Sequence, residues 1–244
     1  MEGLPLLLIF VGVPLMIVAA LYLQHQRVKA LQAWAARTGW TYVGSDPSLT
    51  RRWTGQPFGT GHARHASELV TGPFAGHRAM SFSYRYKTGS GKSESTHVFH
   101  VVAVALPTFL PTVELTPEGF GASLAKAFGG QDIQFESADF NQAWRVQARD
   151  GKFAHDVVHP RTMERLLRAD ARGMSFRIEG TDILSWSSGA QRLDAIAGRL
   201  QVLCAVIDAV PRYVWQDHGH DPAPLSDGPP GLEQGPWPGD LQPW

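Results

Sequence analysis

The sequence is short of most residues and patterns that announce a chemistry. It holds a single cysteine, Cys204, in 244 residues, so no intrachain disulfide can form. Thiol-poor composition fits a reducing compartment, and fits equally a secreted protein that needs no staples. It has no excess charge, because 22 basic residues balance 22 acidic ones. A neutral chain lacks the basic stripe that neutralises phosphates, which excludes nucleic acid as an expected partner. Lysine is scarce, and no G-x-S-x-G serine elbow occurs.

The most prominent positive feature lies at the N-terminus. Residues 4–23 read LPLLLIFVGVPLMIVAALYL, a run without one charged side chain. As a helix it would be roughly 30 Å long, the hydrocarbon thickness of a bilayer. Pro14 is tolerated within a membrane helix, and Tyr22 falls where an amphipathic ring meets the interface. A cleaved leader would have a basic n-region and a shorter apolar run, whereas Met1-Glu2-Gly3 has no basic side chain. Arg27, Lys29 and Arg37 lie just after the run, so the positive-inside rule places the remainder of the chain in the cytoplasm. The expected organisation is a short flank (1–3), a transmembrane helix (4–23), a helical stalk (24–39) with Val28, Leu31 and Trp34 on one stripe, a soluble domain (40–215) and a disordered Pro/Gly-rich tail (216–244).

Within the domain the patterns mix strand and helix. Strands are expected over 40–43, 66–71, 78–87, 96–106, 112–115 and 143–148, with a half-exposed one around Ile133 and Phe135 and a hairpin from 175–180 and 182–187. Met80, Phe82, Tyr84 and Tyr86 alternate with polar residues, while 96–106 is apolar on both faces, as a central covered strand should be. Short helices are expected at 46–53, capped by Asp46-Pro47, and from His159-Pro160 to 167, and a further one to 128, capped by Thr116-Pro117. Leu193, Ile196, Leu200, Leu203, Ile207 and Val210 step by three and four along a long amphipathic helix. The fold class is therefore α+β: a mainly antiparallel sheet covered by helices, the long C-terminal one among them.

The tempting motifs fail one by one. Gly89-Ser90-Gly91-Lys92-Ser93 resembles the end of a P-loop, but Tyr86 stands where the first glycine is required and the segment joins two strands. His155 and His159 have helical i,i+4 spacing, yet Pro160 disfavours helical geometry at His159. His97 and His100 should point to opposite faces of a strand, His100 as a hydrogen-bonded core histidine, and His62 and His65 read as glycine-rich loop. Cys204 reads as a small buried residue, Asp132 and Glu136 as the wet side of a strand, and Glu179 and Asp182 as hairpin-turn residues. Arg51-Arg52-Trp53 could meet lipid phosphate or an acidic partner, and a solvated helix end explains it equally. Trp237 and Trp244 are unusual in such a tail and could form a docking motif. No catalytic, cofactor-binding or metal residue is assigned.

The anchor together with ALQAWAARTGWTYVG, RRWTGQPFG, THVFHVVAVALP and FGGQDIQFESADFNQAWRV resembles a family of single-pass membrane proteins of actinobacteria. The resemblance spans most of the chain except the tail. It implies a membrane anchor and brings no activity, cofactor or site residue with it. The functional expectation is a membrane-anchored interaction or sensing module, more a binding protein than an enzyme, held to the bilayer through 4–23 with a protein partner yet to be identified. A metal-dependent membrane-tethered enzyme is the alternative.

Overall fold

A computed structural model describes residues 12–118 and 131–222. Helix α1 (Val13–Thr38) ends at Gly39, whose left-handed backbone (φ 72°) lets its N–H reach the Ala35 carbonyl. Strand β1 (Thr41–Ser45) then leads to a 3-10 turn (Pro47–Arg51), started by the Asp46 carboxylate accepting from the Ser48 N–H. The chain continues through β2 (His62–Phe74), β3 (His77–Thr88), β4 (Ser95–Pro117), β5 (Gln131–Ile133), α2 (Ala138–Ala143), β6 (Trp144–Ala148), α3 (Gly151–Val157) and α4 (Pro160–Leu166). Strand β7 (Ser175–Ser188), α5 (Ile196–Ala209) and α6 (Arg212–Asp217) complete it.

The seven strands form one sheet, in the order β1-β2-β3-β4-β6-β5, with every described pairing antiparallel. β4 is its spine. β7 runs beside β4 from Phe99 to Leu115, while β3 and then β6 share its other edge. The central position of 96–106 and the cover supplied by α5 agree with the apolar patterns: Val101, Val102, Ala103 and Val104 are all fully buried, as are Leu200 and Leu203.

Both long strands change face partway. Val101 and Ala103 of β4 belong to one core and Val102 and Val104 to the other, but beyond the Leu106–Leu110 irregularity Val113 and Leu115 have joined the Val102 side. β7 makes the matching switch at Gly180, which has φ 65°. The expected hairpin over 175–187 is therefore one kinked strand. Likewise 96–106 and 112–115 are two halves of β4, and Thr116 and Pro117 pair with Arg145 and Trp144 instead of capping a helix. Residues 119–128 of that expected helix lie outside the described residues. His62 begins β2, and His65 pairs with Arg85 across from β3, so neither is in a loop. Short helices α2 and α3 have no counterpart among the expected elements. Each is too brief to show a period and is started by a side-chain cap, from Ser137 and Asp150.

The two sheet faces carry separate cores. α1, α5, α6 and the short helices cover one, with Leu31 and Ala35 of α1 packed against it and Trp40 lying over Gly72. A Cβ on Gly72 would come within 2.4 Å of the Trp40 ring, so only glycine permits that approach. The other face is covered by 46–60, which inserts Leu49, Trp53 and Phe58 among Phe82, Tyr84, Val101, Leu184 and Trp186. Trp53 stacks on Phe82 at 5.9 Å, and Phe58 tilts against Tyr84 at 4.9 Å.

Of the expected span, only the part from Gly12 onward is described. From Val13 to Leu23, α1 extends beyond the domain with Leu15, Met16, Val18, Leu21 and Leu23 more than half exposed. Among the described residues no helix is long and apolar enough to cross a membrane. Residues 216–222 of the expected tail are described, with Asp221 accepting from Arg212, and 223–244, including Trp237 and Trp244, lie outside.

Candidate functional site

The face switch in β4 and β7 gathers charged residues beneath the covering segment. Glu114 and Arg177 are direct cross-strand partners and almost wholly buried. Arg177 donates from Nε (2.8 Å) and Nη2 (2.5 Å) to the Glu114 carboxylate, from Nη1 to Glu179 (3.1 Å) and the Thr54 carbonyl, and from Nη2 to the Gln56 carbonyl (2.7 Å). Its guanidinium also lies over the Trp186 ring at 4.9 Å. Burial pushes the Glu114 carboxyl above its ordinary range, against the opposing pull of Arg177. Further along β7, the Asp182 carboxylate accepts from Arg52 Nε (2.7 Å) and Nη2 (2.9 Å) and from the Trp53 indole (3.1 Å). Glu179 accepts from the Thr54 backbone and hydroxyl.

Glu179 and Asp182 are thus not turn residues chosen for conformation. With Arg177 they clamp 46–60 onto the sheet; Trp53 is buried against Asp182, while Arg52 pairs with that carboxylate from an exposed position and Arg51 is exposed beside it. The signal in the sequence was a buried-strand arginine followed by two acidic residues, hidden because Arg177 and Asp182 have opposite strand parity. Beside the clamp a cleft of 220 Å³ is lined by Glu114, Gln147, Arg149, Asp150, Thr54 and Thr112. A larger open groove of 1030 Å³ runs between the β4 kink at Leu106-Pro107 and the α5–α6 corner at Ile207, Val210 and Trp215.

The histidines are spread over several elements of the domain. His155 sits in α3 against Phe135, while His159 precedes α4 and bonds the Ala209 carbonyl at 2.7 Å. His97 stacks on Tyr86 on the face covered by 46–60. His100 points the other way, buried, with Nε2 2.9 Å from the Ser81 hydroxyl and Nδ1 accepting from the Arg192 N–H at 3.4 Å. Burial, and then the positive field of Arg199, push its pKa down to about 3. Arg199 in turn donates to the Ser187 hydroxyl at 2.6 Å. Among the described residues no three His, Cys, Asp or Glu side chains group as a metal site requires. Cys204 is buried, with its thiol pushed up to about 11 by desolvation. Asp132 is held by Arg145 and Gln147, and Glu136 is exposed. The Gly89–Ser93 segment is the β3–β4 hairpin tip, and it leads into a strand, not into an α-helix whose N-terminus could hold a phosphate.

Clamp, cleft and groove all lie on one antiparallel sheet, against which the second half of α1 is packed. No protein-family model matches the chain, and no curated protein matches it. Among solved structures it is similar to the crystal structure of the mycobacterial trehalose monomycolate transport factor A, with a TM-score of 0.55 and 16% identity over 80% of this chain and 98% of that one. At that identity the likeness is one of fold.

Proposed function

We propose that this protein is a membrane-anchored accessory factor whose α+β domain is held at the bilayer surface to bind a protein partner of a lipid-transport system. The observation that carries the reading is α1. Its first half presents leucines, isoleucine and methionine on all sides, with every residue of 13–26 exposed, whereas its second half is packed on the sheet through Leu31 and Ala35. Such a projecting apolar surface needs a cover, and the uncharged sequence of residues 4–11 immediately before it lengthens the apolar run to that of a span. The fold likeness to a transport factor and the resemblance to single-pass actinobacterial proteins support the same role. The basic residues after the run support a cytoplasmic domain.

The protein should remain in the membrane fraction through high salt and carbonate, and crosslinking in native membranes should capture a recurrent membrane-protein partner. Carbonate release would overturn the anchor. Capture of no specific partner by either the groove or the clamp face would overturn the accessory role.

A further inference from the structure

Docking of α1 fixes which end of the sheet faces the bilayer. Arg27 is ion-paired with Glu68 of β2 and donates to the Gln191 carbonyl just after β7, while Trp40, at the helix's far end, lies over Gly72. Moving toward the domain along α1 therefore runs from residue 68 toward 72 on β2. The N-terminal end of α1 and the His62 end of β2 point the same way. From Arg27 back to Leu23 is about 6 Å of helix. From Glu68 back to His62 is roughly 20 Å of strand, and the β3–β4 hairpin tip projects further still, since His62 pairs with Lys87. Along the sheet the tip therefore lies about 14 Å or more past the level of Leu23, and it meets the headgroup layer when the span is tilted so that this excess runs along the bilayer plane.

The same end is basic in an otherwise neutral chain. Arg64, Arg85 and Lys92 are exposed and make no ion pair among the described residues. Lys87 adds a fourth cation, bonded at 2.7 Å to Glu94, the carboxylate of the tip, which His62 also meets at 3.3 Å. We propose that this sheet end, tipped by Gly89–Ser93, is a docking surface for the anionic headgroups of the membrane that holds α1. The inference rests on the anchor reading above. It assigns a use to Lys92 and its glycines: a small, basic, unencumbered tip that can enter a headgroup layer. Anionic phospholipid is the occupant, because the tethered geometry delivers the cations to it at high local concentration, each contributing about fivefold to contact.

The test uses full-length protein in nanodiscs of phosphatidylcholine alone or with phosphatidylglycerol, carrying a fluorophore at Ser90→Cys or, at the opposite hairpin, Ala75→Cys. Headgroup spin-labelled lipid should quench the dye at 90 well above that at 75, and more strongly with phosphatidylglycerol. Salt at about 1 M, where the Debye length falls to about 3 Å, should weaken the quenching. The triple variant Arg64→Glu/Arg85→Glu/Lys92→Glu, checked to melt with the parent, should lose the lipid dependence. Quenching at 90 no greater than at 75, or indifferent to lipid charge and to the triple variant, would overturn the docking surface while leaving the anchor standing. Failure of the parent chain to incorporate, with release by carbonate, would remove the anchor and the inference with it.

Discussion

The two faces of the sheet are stabilised by different means. On the helix face, aliphatic side chains of α5 meet valines and isoleucines of β4 and β7, and the stabilisation is spread over many contacts. On the other face 46–60 has only one 3-10 turn of regular structure, so its own backbone contributes little, and stacked aromatics plus a buried ionic clamp hold it down. The difference teaches where each face is vulnerable. A core of interchangeable aliphatics loses stability in proportion to the volume removed, whereas a buried charge network fails as a unit, because any member left alone is an uncompensated charge.

Removing the clamp's centre should have the largest effect. Arg177→Met leaves Glu114 buried without its partner, and leaves the Thr54 and Gln56 carbonyls without their donor. Breaking such a pair costs about 3–5 kcal/mol, which most domains cannot lose comfortably. Chemical denaturation of the detergent-solubilised protein should show the loss. The double variant Arg177→Met/Glu114→Gln should recover part of it, and a double variant no better than the single one would show that the pair does not act as a pair.

On the helix face, Leu200→Ala should cost about 2–5 kcal/mol, at the lower end if neighbouring residues relax into the space. Because that cost is transfer and cavity formation, it should be unchanged by salt or by the Glu114 substitution, and additive with either. Strong coupling between Leu200→Ala and Arg177→Met, measured in a double-mutant cycle, would mean the two faces are not separate in energy.

The same contrast explains which parts of the molecule are legible in the sequence. The helix face is legible because Leu193, Ile196, Leu200, Leu203, Ile207 and Val210 repeat at the period of the element that carries them, and all but Leu193 are buried. The class of fold emerges from alternation in β3 and from the doubly apolar start of β4. The loop face is not legible. Leu49, Trp53 and Phe58 have no period because their segment has only one 3-10 turn of regular structure, and nothing local marks the strands β3, β4 and β7 on which they land. The clamp is hidden by the two bulges. Strict alternation places Glu114 on the face of Val102 and Val104 and separates Arg177 from Asp182, and only the face switch near Leu110 and Gly180 reverses both. Gly180 and the Pro107–Pro111 stretch read naturally as turns, which is why one kinked strand has the sequence pattern of a hairpin.

The smallest predicted effect sharpens the comparison from the polar end of the helix face. His100 is enclosed by Ser81 from β3, by Gln191 and Arg192 after β7, by Arg199 of α5 and by Arg27 of α1, with Asp194 the one opposing charge among those acting on it. Nδ1 accepts the Arg192 N–H, so the ring proton belongs on Nε2 toward Ser81. A second proton would set an N–H against an N–H in a field already positive. The folded pKa of about 3 lies below the ordinary value near 6.5. Native protein therefore binds this proton less readily than the unfolded chain does. The stability His100 contributes is complete above about pH 6.5 and is lost progressively as pH falls toward 3. Between pH 7 and 5 the loss is about 2 kcal/mol for this group. His100→Gln keeps a neutral polar side chain beside Ser81 and removes the titration, so its stability should fall less over that interval by the same amount, whatever its value at pH 7. Denaturation midpoints of the two proteins at pH 5, 6 and 7 measure it. Parallel profiles would show that the ring reaches water or a carboxylate when protonated, and that the helix face is less sealed at this end than at Leu200.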